Sequence, residues 1–162
     1  MVNGISTTFN GWDTALISWI TPHDAVGGQM AALAPTQAAN EKVKDIANSI
    51  DIETGARYLK VSAMAVAWGQ PVPSTDPAAA TGHDHGGGLT EAATAETLVP
   101  LLGVDFDREF LTIMIEHHQA ALPIAQATID NGSNPQDKVF AQETLTSQTE
   151  EIAQMQALLA AL

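Results

Sequence analysis

The chain has 162 residues, no cysteine, and 19 Asp+Glu against 6 Lys+Arg, a net charge of −13. That length suffices for one domain with a real core, and the charge repels nucleic acid and anionic membranes while gathering cations near the surface. Lacking cysteine, the protein has no disulfide, thiolate nucleophile, zinc ribbon or iron–sulfur cluster, so a soft metal here would have to be held by thioether and imidazole.

No apolar run approaches the roughly 20 residues of a membrane helix, so no membrane span is expected. Met1-Val2-Asn3-Gly4 shows neither the basic start nor the apolar core of an export signal. A helical region is predicted from about Gly11 to Trp68, broken at Pro35-Thr36. Within it Pro22 should bend the axis locally, and the Gly27-Gly28 pair should let another helix approach closely. Residues 69–88, rich in Gly, Pro and His, read as a linker. A short helix follows at about 90–99, ending near Pro100. Asp105 is a candidate N-cap for a long helix that carries Pro123 and stops at Asn131-Gly132. Asn134-Pro135 then opens a last helix running to Leu162.

One offset relates the two halves. Sliding the chain by 94 residues places Asp13 on Asp107, His23 on His117, Ala31 on Ala125 and Ala47 on Ala141, without a gap. Trp12, Leu16 and Ile17 fall on Phe106, Phe110 and Leu111. The expected fold is therefore all-α: a four-helix bundle made of two pseudo-repeated antiparallel hairpins, 11–68 and 105–162, in a single domain spanning 1–162.

The last helix carries a heptad-like seam of Thr144, Gln148, Glu151, Met155, Leu158 and Leu162. Its counterpart in the first half is Ile50, Thr54, Arg57, Val61, Met64 and Trp68. Polar residues on a buried seam need partners, which singles out Gln148 and Glu151. On the preceding helix Phe110, Met114, His117, Ala121 and Ile124 share a stripe, with His118 beside it. Met114 lies one turn before both histidines, and antiparallel packing can bring this stripe to Gln148, Glu151 and Met155. Two sulfurs, two imidazoles and a carboxylate make a donor set suited to copper, since thioethers favour Cu(I) and imidazole holds either oxidation state. The expected ligands are Met114, His117, His118 and Met155, with Glu151 binding directly or orienting a histidine. Gln148, His23 and Met30 are possible accessory groups.

The run Met114-Ile115-Glu116-His117-His118, followed by Gln148-Thr149-Glu150-Glu151-Ile152-Ala153-Gln154-Met155, resembles the bacterial family known as Domain of Unknown Function 305. The pattern of that family is Met-Ile-Pro-His-His, then Gln-x-x-Glu-Ile-x-x-Met about thirty residues on. The resemblance implies a ferritin-like four-helix fold, export from the cytoplasm, and copper binding or tolerance in some members. The departures lie mostly in the first half. Ile20-Thr21-Pro22-His23-Asp24 keeps one histidine only, and Thr54, Arg57 and Val61 replace Gln, Glu and Met. In the second half Glu116 stands where the family has proline, and Ile124 where it often has Met. The first half is thus expected to have lost its site.

Under the same offset Asp24 faces the role of His118 and Arg57 that of Glu151, which predicts an Asp24–Arg57 salt bridge filling the same niche without an ion. In the linker, His83-Asp84-His85 offers a loose Cu(II) or Zn(II) chelate at His83 and His85. A non-enzymatic, exported copper-binding protein, sequestering or delivering the metal, is the leading expectation; a protein partner is not indicated. A metal-free helical interaction module is the alternative. A di-iron or di-manganese carboxylate oxidase fits less well, because Met114 occupies the place of the glutamate three residues before His117.

Overall fold

The computed structural model describes residues 1–76 and 91–162, the side chains of 91–94 apart. Four long helices form a ferritin-like bundle: α1 (Gly11–Ala31), α3 (Glu41–Ala67), α5 (Gly103–Asn131) and α6 (Pro135–Ala161). Two short helices, α2 (Ala34–Gln37) and α4 (Glu91–Leu98), sit in the connections. α5 packs most extensively on α6 and α1 on α3, while α1 against α5 joins the two hairpins. By comparison α3 and α6 touch sparsely, which leaves a groove between them.

The helix starts follow local chemistry. Asn10 caps α1 in a capping box, accepting from the N–H groups of Trp12 and Asp13 while Asp13 accepts from the Asn10 N–H at 2.7 Å. Asn40 and Asn134, one offset apart, cap α3 and α6, and both of those helices are 27 residues long. Asp105, expected as the cap of α5, lies instead inside its first turn. The cap position belongs to Leu102, which offers no side-chain bond, and the backbone turns into the helix at Gly103 with φ +66°. An acidic residue favours the cap and the first turn for the same electrostatic reason, so sequence could not separate them. α1 and α5 continue through Pro22 and Pro123.

Two buried aspartates clasp the hairpins together. Asp13 on α1 accepts from the N–H groups of Ser133 (3.0 Å) and Asn134 (3.2 Å) at the start of α6. Asp107 on α5 accepts from those of Ala39 (3.1 Å) and Asn40 (3.0 Å) at the start of α3. Both carboxylates are fully buried. Asp107→Ala strands two backbone donors and is expected to cost about 2–3 kcal/mol in urea unfolding. A loss below about 0.5 kcal/mol would mean that water reaches those amides.

Asp13 has a second buried neighbour. Asp137, in the first turn of α6, is fully buried, and among the described residues its oxygens receive no N–H or hydroxyl donor. Burial, followed by the charge of Asp13 and a hydrogen bond to it, pushes the Asp137 carboxyl up to about 8. At neutral pH Asp137 is therefore protonated and donates to Asp13. The residue one offset earlier is Val43, also fully buried, which needs no proton to sit there.

Candidate metal centre

All five side chains expected as ligands are buried: Met114 and Met155 are fully enclosed, His117 and His118 are 2% exposed and Glu151 is 5% exposed. α5 contributes Met114, His117 and His118 within one turn, and α6 contributes Gln148, Glu151 and Met155 over two. The three methionines Met30, Met114 and Met155 belong to one core cluster with Val26, Phe110 and Ile152.

The His118–Glu151 pair defines the chemistry. His118 Nε2 lies 2.8 Å from Glu151 Oε2, with both side chains buried. In the neutral ring this contact assigns the proton to Nε2, which donates to the carboxylate and leaves a lone pair on Nδ1. Among the described residues no group bonds His118 Nδ1, Glu151 Oε1 or Gln148 Oε1, although all three are buried. Each such atom costs about 1–3 kcal/mol if left unpaired, so three of them buried on the facing helices α5 and α6 call for a partner. The carboxylate–imidazole arrangement is the one that fixes a metal-binding histidine in orientation and tautomer. Glu151 thereby fits the role of orienting group, and His118 that of a ligand through Nδ1.

Among the described residues no group of three or more His, Asp or Glu side chains could hold a metal ion. In particular, His117, His118 and Glu151 are not brought together as one three-ligand group. Thioether sulfur and imidazole nitrogen are donor types that suit a soft cation.

His23 meets the site differently from a ligand. Its ring stacks on His117 at 3.7 Å between centroids, with the planes 1° apart, and Trp19 stacks on His23 at 4.2 Å. Ring-nitrogen lone pairs lie in the ring plane, so two parallel imidazoles cannot both aim at one ion. In this geometry His23 sets the plane of His117. Gly27 makes room for that ring: a Cβ there would come within 3.0 Å of His117 Nε2. The stack, formed by residues one offset apart, was not anticipated from the sequence, which carries no signal for two helices meeting face to face at equivalent residues.

Asp24 and Arg57 meet in the other hairpin. Arg57 Nε and Nη2 donate to the Asp24 carboxylate at 2.8 and 3.3 Å, and Nη1 donates to Glu53 at 3.2 Å. Burial pushes the Asp24 carboxyl upward; Arg57 opposes that, as does His118, and Glu151 adds to it. Burial also works against the Arg57 charge, but Asp24, Glu151 and Glu53 together hold the guanidinium ionised. The Asp24–Arg57 pair therefore feels the charge of Glu151. His83 and His85 lie outside the described residues.

The class is that of four-helix bundles with a buried imidazole–carboxylate pair between two packed helices. The chain belongs to the DUF305 family, a domain of unknown function whose family model matches residues 13–159. Its structure is similar to that of a DUF305 fragment from Deinococcus radiodurans, with TM-score 0.80, 24% identity, and coverage of 94% of this chain and 98% of that one. It is also similar to CopM in the Cu(II)-bound form, with TM-score 0.77, 28% identity, and 92% and 96% coverage. The Cu(I)-bound form of CopM gives TM-score 0.75 and 26% identity over the same shares of the two chains. No curated protein matches the sequence.

Proposed function

We propose that this protein binds copper as cargo, for sequestration or delivery, and that it does so outside the cytoplasm, as the family resemblance implies. Met114 and Met155 supply sulfur, His117 and His118 supply imidazole nitrogen, and Glu151 holds His118 with Nδ1 available. The observation that carries this reading is the buried His118 Nδ1, which has no partner among the described residues while Nε2 is engaged by Glu151. The similarity to copper-bound CopM supports the choice of metal. Met30 lies in the same core cluster and is a candidate third thioether; Gln148 is a candidate polar neighbour. Among the described residues no helix is long and apolar enough to cross a membrane.

Anaerobic Cu(I) titration against a chromophoric chelator tests the reading. Glu151→Gln, which loosens only the orientation of His118, is expected to weaken binding by about 10–100-fold. The His117→Ala/His118→Ala double variant should lose more than that, and Met114→Leu should lose affinity at a stability cost below about 1.5 kcal/mol. His23→Ala should have the smallest effect of the set. Wild-type affinity in the double variant would place the metal elsewhere.

A further inference from the structure

We propose that the acidic groove between α3 and α6 is the path by which a cation reaches the buried His118–Glu151 pair. The groove has a volume of about 580 Å³ and forms where the two helices are splayed. Four carboxylates line it, Asp45 and Glu53 from α3 and Glu150 and Glu151 from α6, against the ammonium of Lys42, and Glu53 is already paired with Arg57 behind it. Asp45 and Glu150 are exposed, Glu53 is partly buried, and Glu151 is 5% exposed. Unpaired carboxylate thus runs inward from the exposed Asp45 and Glu150 to Glu151, whose Oε1 is buried without a partner among the described residues and whose Oε2 already holds His118. A cleft lined by one sign of charge with low-dielectric walls concentrates counter-ions and speeds their arrival by roughly 10–1,000-fold.

The neighbouring openings are less suited to a cation. Farther along the same helix pair, a groove of about 200 Å³ is lined by Arg57 and Lys60 as well as Glu53 and Glu143, so its field is mixed. A third, of about 390 Å³ between α1 and α3, reaches the Asp24–Arg57 pair, whose charges already satisfy each other. Only the gradient ending at Glu151 delivers a positive charge to an unspent acceptor among these three.

The path rests on the copper reading above, and kinetics separate the two. Cu(I) is supplied from a chromophoric chelator under anaerobic conditions, and uptake, chelator-driven release and equilibrium affinity are measured for the full chain. Ser49→Trp on α3 and Gln154→Trp on α6 obstruct the groove from opposite walls without touching the proposed ligands. Each is expected to slow uptake and release by the same factor, about tenfold or more, leaving the equilibrium constant unchanged. Asp45→Asn with Glu150→Gln should slow uptake several-fold at low ionic strength and have little effect at 1 M salt, where the screening length is about 3 Å. Wild-type rates in both tryptophan variants, with wild-type melting curves, would overturn the path alone. A wild-type protein that takes up no Cu(I) would overturn the copper reading and the path together.

Discussion

Asparagine in place of Asp137 is expected to stabilise the protein by roughly 3–5 kcal/mol at pH 8 and by little at pH 4. The folded-state carboxyl is raised from 3.8 to about 8 by burial and by Asp13. Between those values the folded chain keeps a proton that the unfolded chain has released, so stability falls as pH rises. The wild type is most favoured below about pH 4 and has lost the whole contribution above about pH 8, at about 1.36 kcal/mol per unit. Asparagine retains a donor for Asp13 but has no proton to lose, so its profile lacks this slope. Urea unfolding of both proteins at half-unit steps from pH 4 to 9 reads the difference directly. Parallel profiles would show that Asp137 ionises at its ordinary value and that the two carboxyl groups do not share a proton.

Arg57→Met is expected to cost about 3–5 kcal/mol at neutral pH, because it leaves the Asp24 carboxylate buried without its cation. The pair accounts for two hydrogen bonds within the hairpin, whereas Glu53, 37% exposed, returns to solvent when Arg57 is removed. Burial already pushes the Asp24 carboxyl upward with Arg57 present. In the variant Asp24 should therefore escape by taking a proton, which caps the loss and makes the variant recover stability as pH falls. Replacing both partners, as Asp24→Leu with Arg57→Met, should restore much of the loss, since an apolar pair carries no desolvation cost. A single-variant cost under about 1 kcal/mol would place the bridge in the class of solvent-screened surface pairs.

Much of this was legible in the residues themselves. The heptad seam of α6 marked Gln148 and Glu151 as polar groups on an inward face, and the structure buries both. Arg57 and Asp24 were legible only by comparison, because their counterparts under the offset carry the opposite pattern of charge. What stayed hidden depends on contacts between helices distant in sequence. Asp137 reads as an ordinary acidic residue in a first turn, favoured there by the helix dipole. Nothing nearby in sequence shows that Asp13 lies against it. The His23–His117 stack was hidden for the same reason. A histidine one offset from a candidate ligand reads as the remnant of a second site, whereas packing turns it into a plate that sets the plane of its neighbour. The groove between α3 and α6 depends on how far two helices splay, which hydrophobic spacing does not encode.

The clasping aspartates carry a further consequence for how the molecule assembles. Each hairpin caps its own second helix with an asparagine but leaves the amides just before it to the other half: those before α6 bond Asp13 of the first hairpin, and those before α3 bond Asp107 of the second. A hairpin formed alone would hold exposed amides at one end and an unneutralised aspartate at the other. Each half is thus a template for its sibling, as in a pair of interlocked subunits that happen to share one chain. Docking and the pairing of these amides become a single event, so half-formed species are penalised by the donors and carboxylates they leave unpaired.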